Sequence, residues 1–252
     1  MSLVPVKPSK TKEDDLYKIA TCEDFKNIYL DTNSEKYEKI IETANNDIMP
    51  VIDIKKLLCV RVLISGSSGS GKTYMAEKLL EQIKPDTVYL FSSINDSDYS
   101  KYNVKRIDLN HILSSFPKMT IHDIYDKIED NIVAIFDDIV SFGTKLSKPY
   151  LELRLVMLQK GRHRKQSVFV VEQQATAGNL KGSQSVLLNC NYFITFPKNN
   201  FRAFTLLAKN YLGFENKVIE YFRKNNSRYL FISKNHPSYY VASNECGMID
   251  GI

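Results

Sequence analysis

Short runs of mostly apolar residues recur through the central part of the chain. The runs cover Leu57–Ile64, Val88–Phe91, Ile132–Phe136, Val168–Val171 and Tyr192–Phe196. Amphipathic stretches that predict helices lie between them, from about Lys72 to Gln82 and from Leu151 to Lys160. Continuous apolar strands separated by helices predict an α/β fold, with a mainly parallel central sheet covered by helices on both faces.

The two ends of the chain follow other patterns. Residues 1–12 predict a flexible tail, and apolar positions from Asp14 to about Asn46 recur at spacings of three and four, which predicts short amphipathic helices. Two apolar segments near the other end, Arg228–Ile232 and Tyr239–Ala242, predict a C-terminal hairpin. We therefore expect a tail and helical N-terminal segment over residues 1–50, followed by one domain over residues 51–252.

Composition places the chain among packed globular proteins. Its 252 residues are 43% hydrophobic and 25% charged, which excludes a disordered chain or a fibrous repeat. The apolar runs are much shorter than the roughly 20 residues that a membrane-spanning helix needs. The N-terminus has no apolar signal segment, so we expect a protein that is not secreted.

Cysteine and histidine give no sign of a metal site or a disulfide framework. Cys22, Cys59, Cys190 and Cys246 are far apart and form no C-x-x-C pair. The four histidines are equally dispersed. We expect reduced thiols in a cytosolic or nuclear compartment and no protein-built metal cage.

Charge is distributed unevenly along the chain. Residues 1–140 contain 18 Lys+Arg and 23 Asp+Glu, a net charge of −5, whereas residues 141–252 contain 16 and 6, a net charge of +10. A basic half of this kind favours a polyanionic partner such as nucleic acid, because Lys and Arg neutralise phosphates. A solvated basic face is the alternative interpretation.

A complete G-x-x-x-x-G-K-[ST] motif lies between the first predicted strand and the first predicted helix. The motif consists of Gly66, Ser67, Ser68, Gly69, Ser70, Gly71, Lys72 and Thr73. Its glycines allow successive N–H groups to surround phosphates at the start of a helix. Lys72 is expected to neutralise the β- and γ-phosphates, and the Thr73 hydroxyl to bind Mg²⁺. The motif predicts an ATP-binding P-loop.

Two carboxylates follow the strand Ile132–Phe136 directly. Asp137 and Asp138 lie 65 and 66 residues after Lys72, a spacing that suits a Walker B motif. Asp137 is expected to reach the Mg²⁺ shell, and Asp138 to orient or deprotonate the attacking water. Many P-loop hydrolases have Glu at the second position, so the identity of the catalytic base stays open at this point.

Another apolar strand ends in polar residues. Gln173 lies 36 residues after Asp137 and is the candidate for contacting the attacking water or the γ-phosphate. Glu172 is a secondary candidate base. Solvation of the strand end is the alternative for both residues.

A basic loop separates these two strands. Arg162 and Arg164 are candidate arginine fingers, which would act on the site of a neighbouring subunit, and Arg154 is a weaker third candidate. Such a role would require a ring of subunits. Contact with a nucleic-acid backbone, or with solvent alone, is the alternative.

Together these segments resemble a known group of proteins. The loop GSSGSGKT, the strand IVAIFDD and the segment KGRHRKQSVFVVEQQ are similar to the genome-packaging ATPases of large double-stranded DNA viruses. That poxvirus-type group belongs to the FtsK–HerA superfamily of P-loop translocases. The resemblance covers roughly residues 57–197 and, more weakly, the tail segment RYLFISKNHPSYY.

The resemblance implies a P-loop NTPase fold of the additional-strand type and a motor that hydrolyses ATP with Mg²⁺. It further implies a pentameric or hexameric ring that drives double-stranded DNA into a capsid. Such a protein would work in the host cytoplasm or a viral factory, or associated with the virion. One departure is Glu172, where the family often has Thr before the strand-end glutamine.

Two other functions remain compatible with the motifs. A nucleoside or nucleotide kinase also combines a P-loop with an arginine-bearing loop, although the acidic pair Asp137 and Asp138 and the strand that ends in Gln173 suit water activation better than transfer to a sugar. The second is an assembly switch, in which ATP sets an oligomeric state without translocation. Phosphate release with and without DNA or an acceptor separates the three.

Overall fold

The computed structural model describes residues 3–5, 16–22, 28–31, 41–42, 48–52, 59–93, 99–173, 181–235 and 238–249. The chain forms two compact units. The central unit comprises Leu57–Cys190, and the terminal unit comprises Met1–Lys56 together with Asn191–Ile252. The sequence instead predicts one domain over residues 51–252, and that boundary stays a prediction.

The N-terminal part of the terminal unit contains strands where helices were expected. The strands are β1 (Leu3–Pro5), β2 (Leu16–Thr21), β3 (Ile28–Asp31), β4 (Ile41–Glu42) and β5 (Met49–Pro50). β2 pairs antiparallel with both β3 and β5. The predicted helical N-terminal segment is therefore wrong where the structure describes it, and the predicted tail contains β1; the remainder of both lies outside the described residues.

The physical reason is that each of these segments is too short to establish a helical period. Two or three apolar residues at spacings of three or four do not distinguish a helix from a strand. Ile19 and Ile28 are β-branched and completely buried, as is Ala20 between them in the paired β2 and β3. Burial and cross-strand pairing outweigh a weak local pattern.

The central unit alternates strands and helices as predicted. Its elements are β6 (Arg61–Ser65), α1 (Lys72–Ile83), β7 (Val88–Ser92), β8 (Val104–Arg106), α2 (Leu109–Ser115), α3 (Ile121–Lys127), β9 (Val133–Asp137), α4 (Gly143–Lys160), β10 (Ser167–Glu172) and α5 (Lys181–Asn189). The five strands are parallel and lie in the order β6-β10-β9-β7-β8. β10 thus separates β6 from β9, which is the additional-strand arrangement.

Burial of the strands and of one side of each flanking helix stabilises this sheet. Helix α1 buries Met75, Ala76, Leu79 and Leu80, and α4 buries an apolar stripe that includes Tyr150, Leu153 and Met157. Full burial of one such large side chain contributes about 1.5–3 kcal/mol. Because the strands are parallel, their carboxyl ends meet at one edge, where the loops of the site begin.

The C-terminal part of the terminal unit is antiparallel. It contains β11 (Tyr192–Thr195), α6 (Phe201–Asn210), α7 (Asn216–Lys224), β12 (Leu230–Ser233), β13 (Tyr239–Ala242) and β14 (Glu245–Ile249). β11, β12, β13 and β14 pair in that order, and β14 also pairs with β1 and β4. The C-terminal hairpin is confirmed as β12–β13. None of the helices in the described part of the chain is long and apolar enough to cross a membrane.

Candidate active site

Four loops meet at the carboxyl edge of the parallel sheet. The pairing register places Ser65 beside Glu172, and Asp137 between Val171 and Ser92 on its two neighbouring strands. The residues that follow these strand ends therefore lie side by side. They include the phosphate loop after β6, Asp138 after β9 and Gln173 after β10, so the structure brings together three predicted features that are far apart in sequence, and Ser93 follows the fourth strand, β7.

The phosphate loop has the backbone conformation that its glycines permit. Gly69 and Gly71 have φ angles of 73° and 101°, in the left-handed region that favours glycine. The Ser70 N–H donates to the Ser67 carbonyl at 3.2 Å, which closes a tight turn. Lys72 Nζ donates to the carbonyls of Gly66 and Ser67 at 2.9 and 3.0 Å. The lysine thus caps the loop.

Burial and two neighbouring carboxylates have opposite effects on the pKa of Lys72. Burial lowers the pKa of Lys72 below its ordinary value, while Asp137 and Asp138 act in the opposite direction. The nearby Ser70 Oγ is buried and has no hydrogen-bond partner. An ordered anion in the loop would satisfy that hydroxyl and place negative charge beside the ammonium group, which is what phosphate oxygens supply.

Asp138 occupies a turn that directs it toward Gln173. Its φ of 48° lies in the left-handed region, which Asp tolerates better than most residues. Its N–H donates to the Val171 carbonyl at 2.9 Å, which extends the β9–β10 ladder by one bond. Gln173 Nε2 donates to Asp138 Oδ2 at 3.3 Å. The structure therefore joins two residues that sequence patterns had suggested independently for water activation.

The residues expected to hold Mg²⁺ fit that ion chemically. Thr73 is the second residue of α1 and is half-buried, and Asp137 is the half-buried last residue of β9. Hydroxyl and carboxylate oxygens are the hard ligands that Mg²⁺ prefers, with the remaining positions filled by phosphates and water. Among the described residues, no group of three or more His, Cys, Asp or Glu forms a metal cage.

Glu172 and Arg154 have a different environment from the one expected. Arg154 Nη1 donates to Glu172 Oε1, and the two side chains are only 2% and 6% exposed. Glu172 is therefore a buried ion-pair partner, which corrects its interpretation as a secondary base facing the reacting water. Arg154 is likewise corrected as an arginine finger, because a side chain enclosed in its own chain cannot enter a neighbouring site.

The basic loop lies at the opposite end of β10 from the phosphate loop. It forms a 3-10 turn over Gly161–Arg164, just before β10 begins. Six strand residues separate the two edges by roughly 20 Å. The structure therefore does not bring Arg162 or Arg164 to the phosphate loop of the same chain.

The two arginines of this loop differ in their contacts. Arg162 is exposed. Arg164 donates to the Asp130 carboxylate and to the carbonyls of Tyr125 and Ile128. Its guanidinium also lies 5.0 Å from the centre of the Tyr125 ring. These contacts hold Arg164 within its own chain and leave Arg162 available for another molecule.

Sequence reasoning missed several residues that support the site. The Ser141 hydroxyl donates to the Asp138 carbonyl at 2.6 Å, and the hydroxyls of Ser93 and Ser141 share a further hydrogen bond. Ser93 follows β7, so its position at a polar strand end was the available signal. Arg154 is suggested by the sequence only as a candidate finger, and the signal for its buried role is its place between Tyr150 and Met157 on the buried stripe of α4.

Comparison with known proteins gives one sequence relative and several similar folds. No protein-family model matches the chain. Uncharacterized protein V3 of Sputnik virophage is 26% identical over 196 residues, covering 73% of this chain and 74% of V3. Its name assigns no activity.

Among solved structures, the pCW3 conjugation coupling protein TcpA, solved with ATPgS, matches with a TM-score of 0.51 and 10% identity. That match covers 96% of this chain and 76% of TcpA. The DNA-packaging ATPase B204 from Sulfolobus turreted icosahedral virus matches with a TM-score of 0.48 and 16% identity, over 78% of this chain and 98% of B204.

The chain has the α/β fold of P-loop NTPases. The parallel sheet, the additional strand β10 and the loop between β6 and α1 establish this fold, and the match to TcpA agrees with it.

Proposed function

We propose that the chain is an ATP-hydrolysing motor of the FtsK–HerA type that translocates double-stranded DNA into a viral capsid. The observation that carries ATP hydrolysis is the hydrogen bond between Gln173 and Asp138 beside a complete phosphate loop. A carboxylate and an amide at this edge can hold a water molecule between them and the terminal phosphate. This favours hydrolysis over phosphoryl transfer to a sugar acceptor.

In the proposed reaction, the loop backbone from Gly66 to Gly71 surrounds the phosphates. Lys72 neutralises charge that develops on the transferred group. Mg²⁺, held by Thr73 and Asp137, would supply Lewis-acid stabilisation of the phosphoryl oxygens. Asp138 accepts the proton of the attacking water, and Gln173 orients that water through its amide.

An arginine finger from a neighbouring subunit completes the proposed site. Arg162 takes this role, because it is exposed whereas Arg154 and Arg164 are bound within their own chain. A guanidinium supplied in trans stabilises charge on the transferred phosphoryl group. The proposal therefore includes a homo-oligomeric ring, pentameric or hexameric, in which each site is completed by its neighbour.

Translocation of DNA is supported by charge and by the sequence resemblance. The net charge of +10 over residues 141–252 suits a phosphate backbone. The segments GSSGSGKT, IVAIFDD and KGRHRKQSVFVVEQQ resemble viral packaging ATPases. A capsid component is the further partner that packaging requires, and the host cytoplasm or a viral factory is the place where packaging would occur.

The first test measures inorganic phosphate released from ATP and Mg²⁺ by the wild-type protein and two lysine variants. Lys72→Ala is expected to reduce release at least 100-fold, because it removes the ammonium group that caps the loop. Lys78→Ala is the matched control: Lys78 lies on the same helix but pairs with Glu81 on an exposed surface, and it should retain the wild-type rate within twofold.

The same assay distinguishes the other functions. Release by the wild-type protein that is lost in Lys72→Ala supports hydrolysis at this site. Transfer of phosphate only after a nucleoside or nucleotide acceptor is added would contradict hydrolysis and indicate a kinase. Tight ATP binding without release would contradict a motor and indicate an assembly switch.

A further inference from the structure

A charged residue lies on the buried apolar stripe of α4. Arg154 is 2% exposed, and its neighbours on that stripe include Tyr150 and Met157. An arginine in such a position is costly to desolvate unless it is paired. Its partner is Glu172, which is also buried. The pair joins α4 to the last residue of β10, which lies next to the phosphate loop.

Glu172 is attached to the active site through its backbone. Its carbonyl accepts a hydrogen bond from the N–H of Gly66, the first residue of the phosphate loop, at 3.2 Å. The preceding carbonyl, that of Val171, accepts from the N–H of Asp138, and the following residue is Gln173. A change at Glu172 would thus reach the phosphate loop, the acidic turn and the glutamine together.

We propose that Arg154 is a positioning residue for ATP hydrolysis: by binding Glu172 inside the central unit, it fixes the end of β10 and with it Gln173 and Gly66. This inference rests on the proposed ATPase function and deepens it. The buried side chain of Glu172 anchors the strand end to α4, while its backbone holds the loop. Arg154 itself touches no substrate.

The pair also bonds the end of β10 to the helix that leads to the basic loop. Helix α4 begins directly after the 3-10 turn that follows Asp138 and ends at Lys160, directly before the basic loop with Arg162. Arg154 is the point on α4 that is bonded to the end of β10. A shift of the end of β10 would therefore be transmitted to α4, the helix that leads into the turn with Arg162.

The kinetic test uses variants that remove one charge or both. Glu172→Gln preserves the side-chain shape, Arg154→Met removes the cation, and the double variant combines the same two substitutions, Arg154→Met and Glu172→Gln, which leaves no buried charge at the pair. Each single variant is expected to lower kcat for phosphate release at least tenfold while the Kd for a non-hydrolysable ATP analogue changes less than threefold. The double variant should lose less than the product of the two single losses.

A matched control is available in the exposed pair Lys105–Glu129 of the same unit. Glu129→Gln should keep the wild-type kcat within twofold. If Glu172→Gln behaves like this control, or if the losses in the double variant multiply, the proposal is overturned. An effect on Kd equal to that on kcat would also contradict it, since that would indicate general damage to the loop.

A second measurement needs no turnover. In the protein without nucleotide, Glu172→Gln should accelerate amide hydrogen exchange at Gly66 and Asp138 at least fivefold, because the strand end is less firmly held. The amide of Met75, which donates to the Gly71 carbonyl in α1, is the internal reference and should change less than twofold.

Unchanged protection at Gly66 and Asp138 would overturn the positioning role even if activity fell. If the wild-type protein released no phosphate, the proposed ATPase function would fail, whereas exchange would still decide whether the pair holds the strand end. The two failures are therefore distinguishable.

Discussion

Arg162 and Arg164 are two residues apart, yet their surroundings predict different roles. Three groups of the same chain, the Asp130 carboxylate and the carbonyls of Tyr125 and Ile128, accept hydrogen bonds from Arg164. Arg164→Ala should lower the free energy of unfolding by about 1.5–3 kcal/mol, since bonds to a charged donor are lost. Arg162→Ala should change it by less than about 0.5 kcal/mol. Urea unfolding followed by circular dichroism measures both.

An arginine finger should also differ from a structural arginine in its effect on phosphate release. Arg162→Ala should impair phosphate release and spare nucleotide binding. Mixing Arg162→Ala with Lys72→Ala should restore part of the activity, because a site with an intact Lys72 can receive Arg162 from the other variant. If the mixture released only as much phosphate as the two variants release separately, the sites would not be shared between subunits.

Most of the candidate site is predictable from short local motifs. Gly66 to Thr73 form a phosphate loop because the motif itself encodes the turn, and the acidic pair follows directly from a buried strand. The contacts of Arg154, Glu172 and Arg164 were not predictable. They depend on which helix face packs against which strand end, and no short motif records that.

At the scale of elements, long periodic segments were predicted well and short ones were not. Helix α1 begins at Lys72 as expected, and the central strands agree with the predicted runs within a few residues. α4 begins at Gly143, earlier than the predicted Leu151. The apolar spacing of three and four predicts helices where β2 and β3 lie, because that spacing does not reveal that the two segments pair with each other.

The antiparallel strands of the terminal unit enclose a thiol that tests their packing. Cys246 in β14 is fully buried, and burial raises its pKa to about 12. Cys59 in the central unit is less buried, although burial raises its pKa too. Because the thiolate is the nucleophile, iodoacetamide at pH 8 should modify Cys59 first and leave Cys246 intact until the protein is unfolded.

The direction of the shift also predicts a pH effect on stability. Between pH 9.0, the ordinary pKa of a cysteine thiol, and about 12, the unfolded chain releases the Cys246 proton that the folded protein retains. Stability should therefore decline as the pH rises above 9.0.

Rapid alkylation of Cys246 in the folded protein, identified by mass spectrometry of the peptides, would contradict the packing of β14.

The distribution of charge belongs to the scale of the whole molecule. The change from −5 over residues 1–140 to +10 over residues 141–252 was visible without a structure, and it remains the main argument for a polyanionic partner. The P-loop fold is common to many NTPases, so it does not by itself select DNA as the partner.

The most direct measurement is phosphate release from ATP and Mg²⁺ with and without long double-stranded DNA, at two salt concentrations. The proposed motor predicts that DNA stimulates release and that the stimulation weakens at the higher salt concentration, because contacts with DNA phosphates are screened and release counterions. Release that is the same with and without DNA at both salt concentrations would contradict the account.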